Sequence, residues 1–404
     1  MRRATICGAG IAGLTLAWWL TRDGWTVTLV ERAPGPRGEG YLMDFFGSGY
    51  DVAERMGLLP TLTDRASPVD ELVHLSPSGR RTGGLRYAAM TGVLGGRVLS
   101  LLRGDLESAL RTVQKTPPRY GVSVAAAVPR GDRVDVELTD GTRHTADLLV
   151  GADGIHSRIR ELVFGPEARF LRPLGFRTAS YLFDDPDLAA WLGTRFAVIA
   201  APGRQAGVYP TGRGGLAASL IHRTPPAARR IGSSGTGPPL AALFAGLGDT
   251  AARVLARCPA GPGLYDDCVA QVEMTSWTRG PVTLVGDAGY AVSLMAGQGA
   301  SLAMGGAWLL AHHLAARPGD VPAALSAYQA EMLPFTRRKQ LSGRRAAAWM
   351  VPSTRRRLRL RDRLMSIGDL PGGVALLRPL MATTAAGLPA LTAVPRTGNI
   401  HGHE

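Results

Sequence analysis

Gly8-Ala9-Gly10-Ile11-Ala12-Gly13 has the spacing G-x-G-x-x-G, and an acid, Glu31, follows Gly13 by 18 residues. The first glycine of such a run permits a tight turn. The second lets backbone approach a pyrophosphate, and the third lets a helix pack closely on a strand. The helix start then offers free N–H groups and a partial positive charge to phosphates. An acid at the position of Glu31 suits the hydroxyls of an adenosine ribose, with Arg32 beside it. This spacing points to a dinucleotide site and leaves NAD and FAD both open.

Two further turns pair glycine with aspartate. Asp153-Gly154-Ile155-His156-Ser157-Arg158 follows the apolar run Leu148 to Gly151, and Gly286-Asp287-Ala288 follows Val282 to Val285. Each puts an aspartate at the carboxyl end of a predicted strand, where ligands of open α/β sheets bind. Gly297-Gln298-Gly299 opens a long helix of small residues. Its amides can meet a flat ligand with no side chain between, and a helix starting there favours negative charge. No Ser/His/Asp or metal constellation accompanies these turns. His312 and His313 are adjacent, so on a helix they diverge by about 100° and suit a metal badly.

Positioning these turns takes an α/β framework. Ala4 to Cys7 and Thr26 to Glu31 read as strands, with Ile11 to Arg22 as the helix between them. Gly35 to Gly40 reads as a turn, Tyr50 to Met56 as a short helix, and Arg103 to Val113 as a stronger one. Val134 to Leu138 and Thr142 to Val150 flank the hairpin turn Asp140-Gly141. From about Phe170 to Met274 the pattern is strand-rich, with period-two runs over Phe196 to Ala200, Ala206 to Tyr209 and Leu216 to Ile221. Ile231 to Pro239 reads as a surface loop. Helices return after Val285: Gly299 to Leu314, Val321 to Gln340, then a basic region. The expected fold is α/β, a Rossmann-like dinucleotide domain interrupted by a β-sheet substrate domain, with C-terminal helices. The expected boundaries are 1–169 (with some substrate-domain insertions), 170–275, 276–340 for the return segment, and 341–404 for a basic helical segment.

The motifs in this order resemble the class A FAD-dependent monooxygenases, the aromatic hydroxylases that include tetracycline-modifying members. Arg103-Gly104-Asp105-Leu106 looks like that family's Arg-x-x-Leu helix start, and Arg37 to Asp44 resembles its flavin-reaching segment. The resemblance covers about residues 1–340. It implies that Gly8, Gly10 and Gly13 hold the FAD pyrophosphate, with Glu31 on the ribose. Arg103 and Asp287 would contact phosphate or ribityl, and Asp44 would lie against the cofactor. Arg37 would meet NADPH phosphate or flavin, Asp153 would stand near the shared groove, and Gly299 would face the flavin's pyrimidine edge. It also implies a reaction in which NADPH or NADH reduces FAD and O2 forms a C4a-hydroperoxyflavin. One oxygen then passes to an aromatic or polycyclic small molecule, a secondary metabolite or antibiotic. Gly289, Tyr290 and Leu294 depart from the His and Pro that many members carry, which bears on substrate contacts. On the predicted sheet, Tyr209, Arg195 and His222 are candidate substrate contacts, as is Met295 beside the flavin loop. No catalytic base is assigned.

Composition narrows the alternatives. The 404 residues are 45% hydrophobic and 19% charged, ordinary for folded domains. The net charge of +14 suggests a polyanionic partner, but 11 basic residues and one acid between Arg337 and Arg363 carry +10 of it. The rest, 35 basic against 31 acidic residues, is nearly balanced. That segment reads as a solvated surface helix packing Leu358 and Leu360 on the body, with no single-sided basic face. A nucleic-acid or membrane-surface module is a competing class, and no nucleic-acid recognition motif supports it. Among enzymes, the runner-up is an FAD-dependent reductase acting on a lipid-like molecule at a membrane surface. A flavin halogenase is disfavoured, because Lys115 and Lys339 lie outside any suitable motif and Trp-x-Trp-x-Ile-Pro is missing. Three cysteines suit a reducing compartment. The basic, apolar N-terminus and the uncharged stretch Ala288 to Ala316 imitate membrane signals, but their glycine turns argue for a cytoplasmic protein with no transmembrane segment. A monomer or weak homodimer is expected.

Overall fold

The computed structural model describes residues 1–36, 41–93, 95–224, 239–261, 263–367 and 388–393. One sheet has six strands in the order Thr278–Arg279, Val282–Leu284, Leu148–Gly151, Arg3–Cys7, Thr26–Glu31 and Arg119–Tyr120. Neighbours are parallel except the outer Thr278–Arg279 pair. Parallel strands covered on both faces need apolar residues throughout, and Ile6, Leu149, Val150 and Leu284 are fully buried. Cys7 is in register with Gly151 and with Val30, and Gly151 with Leu284. All three glycine turns therefore emerge at the same end of the sheet.

Helix Ile11–Arg22 packs on this sheet, and helix Gly299–Ala316 packs on that helix. The second is buried continuously from Ser301 to Ala311, as a helix apolar on all sides must be. Its small residues admit close neighbours. A Cβ at Gly306 would lie 2.0 Å from the Tyr290 hydroxyl, which accepts a hydrogen bond from Tyr328. Among the described residues, no helix is long and apolar enough to cross a membrane.

A second sheet runs Tyr265–Val272, Leu171–Phe183, Leu216–Arg223, Arg204–Pro210, Arg195–Ala201, Glu71–Leu75 and Arg81–Arg86. All pairs are antiparallel except Arg195–Ala201 with Glu71–Leu75. Strands 71–86 leave the first third of the chain to join it. One face, including Tyr181, Val208, Ala218 and Leu220, packs under helices Pro186–Leu192 and Asp249–Ala256. The other face looks into a cavity.

Several expectations need correction. Thr142 to Val150 is two strands in two sheets: Arg143–Ala146 pairs with Arg133–Leu138, and Leu148–Gly151 joins the six-stranded sheet. The chain crosses at Asp147, whose carboxylate accepts from the Arg3 amide at 2.7 Å. The 13-residue strand Leu171–Phe183 has no clean alternation, because a bulge between Pro173 and Phe176 holds Gly175 at φ +82°. The helix expected to end at Gln340 continues to Met350. The turn at 37–40 and most of the loop Ile231 to Pro239 lie outside the described residues.

The basic helix Arg355–Ile367 packs on strand Arg81–Arg86, but not through Leu360, which is 56% exposed. Arg361 is the buried residue instead, donating to the Met350 carbonyl at 2.8 Å and to Asp362. Gly83 permits this approach, since a Cβ there would lie 2.7 Å from the Asp362 carbonyl. With that phase fixed, Arg355, Arg359 and Arg363 recur every fourth residue on the exposed side, with Arg356 beside them. A single-sided basic face does exist.

Candidate active site

The fingerprint loop leaves strand Arg3–Cys7 through Gly8, held at φ +106° with its amide donating to Val30. A Cβ at Gly8 would lie 2.4 Å from the Ala152 carbonyl oxygen, and one at Gly13 only 1.8 Å from that of Gly8. These two glycines are obligatory for packing. Gly10 is different. A Cβ there would meet only Glu107 at 3.5 Å and Arg103 at 3.8 Å, so its bareness leaves space in front of the helix start. No side chain caps that helix and no acid occupies its first turn, so its first amides are free to meet an anion.

Glu31 closes the other side, accepting from the amides of Ala9 and Ala33 at 2.9 Å each. Glu31, Arg32, Arg103, Glu107 and Asp153 line one cleft of about 160 Å³ with the loop. Asp153 stands at its edge with its carboxylate engaged. It accepts from Ser157 Oγ and from the Arg158 and Ile159 amides, fixing the start of helix Arg158–Phe164. Burial raises its pKa and pushes the neighbouring Cys7 thiol up to about 12, so that thiol stays protonated.

A cavity of about 880 Å³ lies under the seven-stranded sheet, with residues 41–46 and 287–300 on its other side. Asp44, Asp287 and Gly299 line it. Asp287 follows Gly286 (φ +67°), where a Cβ would lie 3.0 Å from that of Ala12, so this turn packs against the fingerprint helix. Its carboxylate opens onto the cavity, and enclosure by the surrounding protein raises its pKa against the opposing pull of Arg103. Arg103 pairs with Glu107 at 2.5 Å. Asp44 sits opposite Ser100 in a two-stranded ladder and accepts from its hydroxyl at 2.8 Å, while burial raises its pKa. Ser293 holds φ +89°, the single positive-φ non-glycine among the described residues. It turns the chain into Leu294–Ala296, placing Met295 in the wall.

The sheet side of the cavity comes from Thr178, Gln205, Tyr209, Ser219 and Ile221. Tyr209 is in the wall with its hydroxyl accepting from the Leu42 amide at 2.7 Å. Arg195 and His222 are not brought there. Arg195 folds back onto the carbonyls of Leu192 and Trp191. His222 lies on the opposite face from Ile221, with its ring edge-on to Phe244. Arg37 lies outside the described residues. Sequence reasoning missed Tyr41 and Tyr265, whose rings stand 5.9 Å apart, and the C-terminal wall of Arg345, Trp349, Met350 and Leu364. His312 stacks on Trp308 and His313 pairs with Glu331. Among the described residues, no cluster has the make-up of a metal site.

The arrangement fits a long ligand with a diphosphate at the Gly10 gap, a sugar at Glu31 and a flat ring beside Asp44 and Gly299. Comparison with known proteins gives the family. Residues 2–234 match the FAD binding domain family. An uncharacterized protein of Mycobacterium tuberculosis (strain ATCC 25618 / H37Rv) is 34% identical over 349 residues, covering 84% of this chain and 92% of that protein. A 3-amino-4-hydroxybenzoate 2-monooxygenase of Streptomyces platensis is 30% identical over 387 residues, covering 91% and 93%. The crystal structure of the tetracycline destructase Tet(51) is 25% identical, with a TM-score of 0.75 over 92% of this chain and 99% of that one. The chain belongs to the FAD binding domain family. Within it, the chain is an FAD-dependent monooxygenase of the class A, aromatic-hydroxylase type.

Proposed function

We propose that this monooxygenase uses NADPH or NADH and O2 to oxygenate, by hydroxylation, an aromatic or polycyclic small molecule of the secondary-metabolite or antibiotic kind. The observation that carries this reading is the largely apolar 880 Å³ cavity, which opens beside Asp287 and Gly299 and is roofed by the seven-stranded sheet. When bound, the flavin supplies the chemistry that couples oxidation of the nicotinamide to insertion of one oxygen atom into the substrate. The protein's part is orientation, charge and exclusion of water.

In this reading Gly8, Gly10 and Gly13 hold side chains away while the helix amides bind the pyrophosphate. Glu31, with Arg32 beside it, orients the adenosine ribose. Arg103 and Asp287 bind the phosphate-to-ribityl stretch, and Asp44 lies against the cofactor. The start of helix Gly299–Ala316, with no acid in its first turn, would stand beside the flat ring and favour negative charge there. Asp153 acts through the Arg158–Phe164 helix start, holding the edge of the groove that the nicotinamide shares. Tyr209 and Met295 belong to the substrate wall, with Trp349 and Met350 closing it to solvent. We divide the chain at 1–169, 170–275, 276–340 and 341–404, with strands 71–86 assigned to the substrate sheet.

The test is reconstitution with FAD and NADPH or NADH consumption against a panel of phenols and tetracyclines, using ¹⁸O2. Substrate-dependent consumption and one labelled oxygen in the product are expected. Flavin-loaded enzyme that neither accelerates nor labels any of them rejects the substrate class.

A further inference from the structure

We infer that the two consecutive helices closing the cavity, Val321–Met350 and Arg355–Ile367, form a docking face for an anionic lipid surface. Arg337, Arg338, Arg345, Arg355, Arg356, Arg357, Arg359 and Arg363 are all exposed, and none pairs with a carboxylate among the described residues. The acids nearby are engaged: Glu273 holds Arg344, and Asp362 holds the buried Arg361.

Apolar side chains stand among these cations. Leu341 is 51% exposed, Trp349 37% and Leu360 56%, three of the large hydrophobic side chains left most open to water. A solvated charge run has no use for them, and nor does a phosphate backbone read through arginine alone. Arginine interleaved with tryptophan and leucine is what an interface between acidic headgroups and hydrocarbon selects. Charge complementarity therefore commits this face to anionic lipid.

The same helices also supply one wall of the large cavity, through Ser342, Arg345, Ala346, Trp349, Met350 and Leu364. Docking brings that wall to the bilayer, where an apolar substrate is most concentrated. The inference concerns the surface and stands independently of which molecule is oxygenated.

The experiment is co-sedimentation of the FAD-loaded full chain with vesicles of phosphatidylcholine alone or mixed with phosphatidylglycerol, at low and high salt. Binding to the mixed vesicles alone, weakened by salt, is expected. Each headgroup-facing arginine contributes about fivefold in partition. The triple variant Arg355→Gln/Arg359→Gln/Arg363→Gln should therefore bind about 100-fold more weakly. Leu360→Asn should weaken binding without altering salt sensitivity. These positions are exposed and outside the cavity wall, so flavin content and melting temperature serve as controls for folding. Equal binding to neutral vesicles, no binding to mixed ones, or an unaffected triple variant would overturn the inference. Tighter binding to duplex DNA than to mixed vesicles at the same salt would also overturn it, reassigning the face to nucleic acid.

Discussion

Gly10 and Gly13 are both fingerprint glycines, yet the structure assigns them opposite sensitivities. A Cβ at Gly13 would sit 1.8 Å from the Gly8 carbonyl oxygen, about half a van der Waals separation, with backbone on both sides. Gly13→Ala must push the helix off its strand, an overpacking cost of about 1–3 kcal/mol or more. Gly10 has φ −80° and ψ −169°, which alanine adopts freely, and its nearest neighbours stand at 3.5 and 3.8 Å. Gly10→Ala should therefore leave the flavin-free fold intact, or stabilise it by about 0.4–1 kcal/mol through the unfolded chain. The new methyl group fills the gap assigned to the pyrophosphate. Losing two charge-assisted backbone hydrogen bonds at about 1.5–3 kcal/mol each weakens FAD binding by about 100-fold or more. Thermal melts of the apoprotein and fluorescence titration with FAD separate the two effects. Wild-type FAD affinity in Gly10→Ala, or apoprotein destabilisation matching Gly13→Ala, would refute the reasoning.

Three other outcomes are expected. Burial raises the Asp44 pKa, so the fold prefers its protonated form. Stability falls as pH rises from the ordinary carboxylate range through the folded value, and the cost then persists. Asp44→Asn should accordingly be more stable than wild type at neutral pH and equal to it in acid, as pH-dependent denaturant melts will report. Asp267 and Glu167 flank His156 and raise its pKa. Its contribution is complete below the ordinary histidine pKa and is lost as pH rises through the folded one. His156→Gln should remove that slope from melts across neutral pH. Arg160 is fully buried, donating to the carbonyls of Ala288 and Ile155 and to Glu167, and so it ties the two aspartate turns together. Arg160→Met should cost about 3–5 kcal/mol in chemical denaturation. A loss below 1 kcal/mol would mean that the turns hold without it.

The three strand-end turns were legible because their signals are local. A strand, a glycine and an acid in a short window determine where Gly8, Asp153 and Asp287 stand, and parallel register brings them to one end. The substrate half depends on phase. Along Leu216–Arg223, Ser219 and Ile221 face the cavity and His222 faces away, and a run of similar apolar residues does not show which set points inward. Arg195 failed for a different reason: a long side chain can satisfy itself on the carbonyls of the preceding helix. The basic segment hid its packing because its arginines and leucines alternate. Only contact with Gly83 shows that Arg361 turns inward and Leu360 outward.

The interleaving of the two sheets also bears on how the molecule is made. Walls of the 880 Å³ cavity come from residues near 41–46, 178–221, 265–300 and 342–364, and the seven-stranded sheet waits for Tyr265–Val272 at its edge. During synthesis, the fingerprint strand leaves the ribosome long before its neighbour Leu148–Gly151, and that strand long before its own neighbour Val282–Leu284. The nascent chain must therefore carry apolar strand edges unpaired for most of its translation. The cavity cannot be completed until the second half has been made. Chaperone occupancy and flavin supply late in synthesis, more than the finished protein's stability, are thus expected to limit the yield of active enzyme.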